Sequence, residues 1–343
     1  SEDDPGPDYV PIQPSGASPN LSGSQMLVVV AVLLGAMVLK AVVAGIIEAV
    51  NSSPSPLKQI ASQASKAKPT DPEAYIRENK LSATEANRIG TWYRYSKTEA
   101  NPALAYKYLT YASNLKNPDA AFTLASMYKD GVGVEKNPSE SFRHFKTAAD
   151  EGYIPAQLIT GDNYYKGQVT EKNYAMAHKY YLMAAKEGDA LGMASVASMY
   201  RMGLGTKQDL SEGKRWATKS NDKNNPYGAF QLALFETADY QTYFSLLKQA
   251  SSGNIPIAQY FLGYAYENGI GTETDKAQAR LYYEKSAERK YPDAVLAMAR
   301  AYEYDTLGSG RDLKKSIQMY SLAADLGTAG AKTKAQLLQR TLK

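Results

Sequence analysis

The chain has 343 residues, of which 44% are hydrophobic and 22% are charged, and its formal net charge is +4. The charges are dispersed without a run of five lysines or arginines, which argues against a nucleic-acid partner. With no cysteine and two histidines, the chain has no disulfide, thiolate nucleophile or Cys-ligated metal, and we expect neither an enzyme nor a bound cofactor.

The N-terminus divides into two segments of opposite composition. Residues 1–25 contain four acidic residues, five prolines and no lysine or arginine, which predicts a disordered tail because such a segment cannot build a core. From Met26 through Ile47, 22 residues carry one charge, Lys40. A membrane-spanning helix needs roughly 20 apolar residues. Residues 26–50 are therefore predicted to form a single transmembrane helix in contact with membrane lipid.

Lys40 is the unusual residue of the predicted span, because a lysine at mid-bilayer costs about 2.5–3.5 kcal/mol on insertion scales. One interpretation shifts the span toward the N-terminus, so that the Lys40 ammonium reaches the membrane interface. The other interpretation pairs Lys40 with an acidic group of another membrane subunit. The sequence favours the first interpretation and leaves the second open.

Residues 51–82 are predicted to be a flexible linker, whose first part is rich in serine, proline and lysine. No lysine or arginine precedes the predicted span, whereas Lys58, Lys66 and Lys68 follow it. The positive-inside rule then favours a cytoplasmic position for the C-terminal domain of this single-pass protein. The preference is slight, because these lysines lie well beyond the end of the span.

An internal repeat of about 36 residues organises the remainder of the chain. Tyr128, Tyr164 and Tyr200 are 36 residues apart, and so are Tyr266 and Tyr302. The interval between Tyr200 and Tyr266 is two periods less six residues. A second ladder of small residues contains the same deletion: Ala112, Ala148, Ala184, Ser220, Ala250, Ser286 and Ala323. Two ladders that share one deletion indicate a true structural repeat.

Each period contains two helical patterns. Ala121, Leu124, Ala125 and Tyr128 follow the spacing of one helix face. Gly-x-Gly at 131–133 and at the equivalent places is predicted to end the first helix, because glycine adopts the left-handed conformation without strain. Counting these patterns predicts an all-α chain with about seven helix pairs over residues 83–327, followed by a capping helix over 328–343.

The runs LASMYKDGVGV (124–134) and FRHFKTAADEG (142–152) resemble the Sel-one-like repeat, a relative of the tetratricopeptide repeat. The resemblance covers residues 83–327. It implies a right-handed superhelical solenoid and adaptor or scaffold work in protein complexes, often at the bacterial envelope. The unit at 226–250 departs from the pattern, because it lacks Gly-x-Gly and Glu236 replaces the ladder tyrosine. Bending of the array and a contact of its own are both open roles for that unit.

In the related tetratricopeptide repeat, ligands contact the first helix away from its packing positions. The resemblance carries this role to a candidate partner-binding groove formed by Phe122, Ser126, Lys129, Leu158, Asp162, Tyr165, Ser198, Arg201, Tyr260, Tyr264, Glu267, Leu296, Arg300 and Glu303. Both charge signs occur in this set, which favours an extended peptide or a partner helix over a polyanion.

The predicted function is that of a membrane-anchored scaffold that recruits or stabilises a protein partner in a membrane-associated complex, at a bacterial inner membrane. The alternative is a peptidoglycan- or carbohydrate-binding envelope module, which is suggested by the 27 tyrosines. Because proteins that resemble this chain are frequently exported, a periplasmic domain competes with the cytoplasmic position that the charge rule favours.

The two histidines are predicted to be packing residues. His144 falls where the equivalent positions hold Tyr108, Tyr180, Trp216 and Tyr282, so we expect an aromatic substitute. His178 lies two residues earlier in its helix than that position. The pair therefore does not form a repeated metal-binding motif.

Overall fold

The computed structural model describes residues 39–52, 55, 71–236 and 238–342. The predicted tail, residues 1–25, and the first half of the predicted span, residues 26–38, lie outside them. The regular elements of the described residues are all α-helices: α1 (39–52), α2 (Pro72–Asn79), α3 (Ala83–Tyr95), α4 (Pro102–Asn114), α5 (Pro118–Asp130), α6 (Pro138–Asp150), α7 (Ile154–Lys166), α8 (Tyr174–Lys186), α9 (Ala190–Met202), α10 (Leu210–Asn221), α11 (Pro226–Ala233), α12 (Tyr240–Ser252), α13 (Pro256–Asn268), α14 (Lys276–Glu288), α15 (Pro292–Tyr304), α16 (Leu313–Asp325) and α17 (Ala331–Thr341).

Helices α3 to α16 form consecutive pairs, which we number repeat 1 to repeat 7, and α17 follows repeat 7. Tertiary contacts divide the chain into two compact units, with the division between Gly228 and Ala229 inside α11. Outside repeat 5, each first helix packs on the second helix of its own repeat, and within each unit a second helix packs on the next first helix. The prediction of an all-α solenoid of helical repeats is confirmed.

The second helix of every repeat begins at a capping side chain. An asparagine or aspartate oxygen accepts a backbone N–H of the first helical turn, which satisfies a donor that the helix itself leaves free. These seven capping residues are Asn101, Asn137, Asn173, Asp209, Asp239, Asp275 and Asp312. The Asn137 backbone N–H also donates to the carbonyl of ladder residue Tyr128 at 2.9 Å, which closes the loop between the two helices.

The two glycines of a Gly-x-Gly turn have different tasks. Gly131 adopts φ +72° at the end of α5, which confirms the predicted helix stop. Gly133 also has a positive φ, +77°, but its Cα lies against the preceding repeat. A Cβ at this position would come 2.6 Å from the Pro102 carbonyl oxygen. The second glycine is therefore required where two repeats approach closely.

Three of the five ladder tyrosines are packed between two aromatic neighbours. The Tyr164 ring stacks on Tyr180 of its own repeat, with centroids 5.9 Å apart and planes at 9°. Its other neighbour is Phe142 of the preceding repeat, which meets it edge-on at 5.3 Å. His144 stacks on Tyr128 in the same way, with centroids 5.4 Å apart and planes at 11°. The prediction that His144 is a packed aromatic substitute is confirmed.

The prediction of a flexible linker over residues 51–82 is wrong at the C-terminal end of this segment, where α2 forms. The Asp71 carboxylate accepts the backbone N–H groups of residues 73 and 74, and Pro72 occupies the first helical turn. Tyr75 and Ile76 are buried in the same core cluster as Ile89 of repeat 1. Capping and burial together therefore stabilise a helix in a segment whose composition resembles a linker.

Within the described residues, no helix has both the length and the hydropathy that a membrane crossing requires. The described part of the predicted span, residues 39–50, is helical, and Lys40 is exposed on it. Glu48 is exposed on the same helix.

Candidate binding face of the first helices

The first helices bury more of their surface than the predicted groove requires. In α5, all of residues 120–127 are buried, because neighbouring helices cover more than one side of a first helix. Seven residues predicted to line a solvent-facing groove are buried instead: Phe122, Ser126, Leu158, Asp162, Tyr165, Ser198 and Glu303. For these seven, the sequence did not separate packing positions from contact positions.

The remaining seven predicted residues keep some exposure. Half-buried side chains are Arg201, Tyr260, Tyr264, Glu267 and Leu296, and exposed side chains are Lys129 and Arg300. Eight of the fourteen predicted residues lie in the unit before residue 229 and six lie in the unit after it. The two sets are therefore two separate candidate surfaces, one on each unit.

Three predicted contact carboxylates instead join the two helices of their own repeats. Asp162 accepts a hydrogen bond from the Tyr181 hydroxyl at 2.5 Å, and Lys166 Nζ lies 3.3 Å from the same carboxylate. In repeats 6 and 7 the corresponding bonds are Tyr283 to Glu267 at 2.7 Å and Tyr320 to Glu303 at 2.8 Å.

The pattern behind these bonds is visible in the sequence but was missed. In the second helix, the bonded tyrosine lies three residues before the small-residue ladder position, as Tyr181 does before Ala184. A tyrosine occurs at this place only in repeats whose first helix supplies the carboxylate. Repeats 2 and 4 have Phe145 and Ala217 at this place and no carboxylate in the equivalent groove positions. Burial first, and then the adjacent carboxylate, raise the pKa of Tyr181 well above its ordinary value, so its hydroxyl remains a donor.

We expect Tyr181→Phe to lower the free energy of unfolding by about 1–3 kcal/mol, because the buried Asp162 carboxylate loses its hydroxyl donor. Urea denaturation of the two proteins measures the difference. The matched control is Tyr164→Phe, which removes a hydroxyl from a half-buried stacked ring and should change stability by about 0.5 kcal/mol or less. Equal losses in the two variants would contradict a specific role for the Tyr181–Asp162 bond.

Tyr260 of the second unit is held in an aromatic cluster. Its ring centroid lies 5.4 Å from Phe261, 5.5 Å from Tyr283 and 5.4 Å from Tyr291. Burial is also the main reason why the pKa of Tyr260 is raised. The ring is therefore part of the packing between helices, and Arg300 is the exposed member of this predicted surface.

On the first unit, the described helix α1 packs on a core cluster that first-helix residues of repeats 2 and 3 share with second-helix residues, and the sequence did not predict this contact. Leu39 is 8% exposed and belongs to the buried cluster that contains Phe122 and Ala125, and Val42 and Val43 pack against this cluster. The buried and half-buried apolar residues of α1 follow the spacing of one helix face: Leu39, Val42, Val43, Ile46 and Val50.

Polar contacts fix the C-terminal end of α1. The Asn51 side-chain oxygen accepts the Lys97 backbone N–H at 3.1 Å, and its nitrogen approaches the Tyr95 carbonyl oxygen at 3.4 Å. Tyr95 and Lys97 lie at the end of α3, whereas Phe122 and Ala125 lie in α5. Helix α1 therefore extends from the second repeat to the first, and its exposed side carries Lys40 and Glu48.

Ring faces for sugar stacking are scarce in the described part of the chain. Of its tyrosines, Tyr240 and Tyr304 are exposed, at 50% and 57%. The Lys334 ammonium lies 5.6 Å from the Tyr304 ring centroid. Among residues 39–52, 71–236 and 238–342, no three histidine, aspartate or glutamate side chains come together as a metal site.

A family model described as Sel1 repeat matches residues 86–117, 118–153, 154–189, 190–225, 256–291 and 292–328. The unmatched interval contains α11 and α12, the repeat that departs from the sequence pattern. Among curated proteins, the chain is 30% identical over 115 residues to the protein NMB1327 of Neisseria meningitidis serogroup B. The alignment covers 32% of this chain and 24% of that protein, so the chain spans about a quarter of this relative.

Two solved structures resemble the chain over most of its length. The first is c5321, a protective antigen of uropathogenic Escherichia coli with an SLR fold. It has a TM-score of 0.59 and 26% identity, and the alignment covers 79% of this chain and 59% of that one. The second is a Sel1 repeat protein from Oxalobacter formigenes, with a TM-score of 0.62, 24% identity and coverage of 69% and 96%. At this identity, the similarity to the Oxalobacter formigenes protein shows a shared fold alone.

Proposed function

The chain belongs to the Sel1 repeat family, and on that premise we propose that it is a scaffold that holds a protein partner on the face of its first helices. Sel1 repeat proteins generally mediate protein–protein interactions. The observation that carries the proposal is the apolar side of α1 seated against the cluster around Phe122. A face that accepts one apolar helix has the shape and chemistry to accept another, which is a common mode of peptide recognition.

Charged residues beside this face supply the means of orienting a partner. Lys129 is exposed near the end of α5, one helical turn after Ser126. Rim charges of this kind contribute more to association rate and orientation than to affinity. The favoured ligand is thus an apolar helix with acidic residues at its edge.

A photo-cross-linking amino acid at position 129 tests this function in cells. The full chain carrying it at Lys129 should form a discrete adduct with one protein. The control places the same amino acid at Lys179, which is also exposed but lies on the second helix of repeat 3. We expect at least a several-fold excess of adduct at position 129, and equal labelling at both positions would contradict the proposal.

The proposal includes a membrane anchor formed by residues 26–47, which is supported by 22 residues with one charge. Fusions of the C-terminus to alkaline phosphatase and to green fluorescent protein test it and fix the orientation. Fluorescence without phosphatase activity would place the repeats in the cytoplasm, as the charge rule favours. The reverse result would place them outside the inner membrane. Release of the chain from membranes by salt washing alone would contradict the anchor.

A further inference from the structure

The same apolar residues have two possible environments that they cannot occupy together. Residues 39–50 are the second half of the segment whose composition predicts a span, and in the structure their apolar side lies on the repeats. With these residues docked, 13 apolar residues remain from 26 to 38. A helix of that length extends about 20 Å at 1.5 Å per residue, whereas the hydrocarbon core is roughly 30 Å thick.

We propose that the first-helix face around Phe122 is a docking site for one apolar helix, and that residues 39–50 of this chain occupy it whenever they are outside a bilayer. The bilayer and the docking face therefore compete for one segment. Insertion of residues 26–47 uncovers the face, and withdrawal covers it again. This inference rests on the proposed function in two respects: the membrane anchor of residues 26–47 is the competing environment, and a partner helix binds after the chain's own helix has left.

The side chains of α1 match this dual use. The five residues of the docked stripe are aliphatic, so they are compatible with either environment. The opposite side has alanines, a glycine and an isoleucine, with two charges, Lys40 and Glu48. This side is polar enough to face water when α1 is docked, and it contains only one charged residue within the apolar segment 26–47. Lys40 is thus explained without a partner in the membrane.

The contacts of Asn51 set where α1 stops on the face. Its side-chain oxygen accepts the Lys97 N–H and its nitrogen approaches the carbonyl of Tyr95, the last residue of α3. Asn51 also lies outside the 22 apolar residues. The polar end of the docked helix is therefore fixed by groups that no bilayer provides.

The absence of cysteine from the chain makes paired cysteines a direct test. Glu48 and Lys97 line the same hollow beside Asn51, so the full chain with Glu48→Cys and Lys97→Cys should react efficiently with a short bismaleimide in detergent-free buffer. The control pair is Lys40→Cys with Lys97→Cys. Lys40 is also exposed but lies roughly 12 Å farther along the helix axis. We expect at least a fivefold lower yield for this control pair.

The second part of the test adds a lipid bilayer, which competes with the docking face for residues 39–50. Reconstitution of the full chain into vesicles of phosphatidylethanolamine and phosphatidylglycerol should reduce the yield of the Glu48–Lys97 cross-link several-fold. In detergent-free buffer, Val43→Asp in the docked stripe should abolish the same cross-link. The matched change Ala44→Asp, on the exposed side, should preserve it.

Two results would overturn the proposal: equal yields for the two cysteine pairs, or a yield that vesicles leave unchanged. Both can be told apart from a failure of the scaffold function, because the cross-link is internal to the chain and requires no partner, and salt washing of membranes tests the anchor separately. Conversely, an internal cross-link with the expected behaviour and no adduct from position 129 would leave the docking site in place and reject the scaffold.

Discussion

Gly133→Ala should lower the free energy of unfolding by about 2–5 kcal/mol. One part of this loss comes from the left-handed conformation, φ +77°, which costs a residue with a Cβ about 1–2 kcal/mol. The other part is the close approach of repeat 2 to repeat 1, since the new Cβ would lie 2.6 Å from the Pro102 carbonyl oxygen and 2.8 Å from its carbonyl carbon. Backbone atoms cannot move aside without shifting α4, and overpacking of this kind typically costs about 1–3 kcal/mol.

Gly152→Ala is the matched control for this experiment. Gly152 also has a positive φ, +90°, but no atom lies within 4 Å of a Cβ built on it. The Gly152→Ala variant should therefore lose only the conformational part of the unfolding free energy, about 1–2 kcal/mol. Chemical denaturation followed by far-ultraviolet circular dichroism measures both variants. Equal losses at the two positions would show that contact between repeats makes no demand on the second glycine.

Acidification should destabilise the repeats through His144. Burial, and then the adjacent Arg143 guanidinium, lower the pKa of His144 to about 4. The ring stacks on Tyr128, and Arg143 donates toward its Nε2 at 3.0 Å, a bond that a protonated ring cannot accept. Glu140 Oε2 lies 4.0 Å from Nε2 and acts in the opposite direction. The folded repeat therefore holds the neutral imidazole.

The direction of the pH effect follows from the lowered pKa. The folded state binds its proton less tightly than the unfolded state, whose ordinary pKa is about 6.5. The stabilisation by neutral His144 is complete above pH 6.5 and is lost as the pH falls through about 4. A shift of this size corresponds to about 3 kcal/mol at most.

His144→Tyr isolates this effect, because tyrosine occupies the equivalent position in repeats 1, 3 and 6. The free energy of unfolding of both proteins is measured between pH 7 and pH 4. We expect the variant to lose about 3 kcal/mol less than the parent over this range. His178, whose pKa is also lowered by burial, remains in both proteins and cancels in the comparison. Parallel pH profiles would contradict the assignment.

The sequence was most informative where the structure is local. Helix pairs follow from the 3.6-residue period and from glycines that adopt a positive φ, and both are properties of a few adjacent residues. The aromatic role of His144 also follows from the repeat, because equivalent positions have equivalent surroundings. The first glycine of the turn, Gly131, belongs to this class.

The candidate site depended on neighbours that are distant along the chain. Whether Phe122 or Asp162 faces solvent is decided by helices from other parts of the sequence, and one helix alone cannot reveal that more than one of its sides is covered. The two residues of the Tyr181–Asp162 hydrogen bond are 19 positions apart in the sequence. It could be recognised only by comparing the repeats position by position.

By itself, the sequence determined the all-α repeat architecture, the ladder packing and the family, because periodic spacing encodes each of these many times over. The tertiary structure alone decided which first-helix residues remain accessible, why the second glycine is required and where residues 39–50 lie. The physical reason in the last case is that hydropathy measures a preference for leaving water. A bilayer and the apolar face around Phe122 both satisfy that preference, and the structure shows the second environment through the contacts of Leu39, Val43 and Asn51.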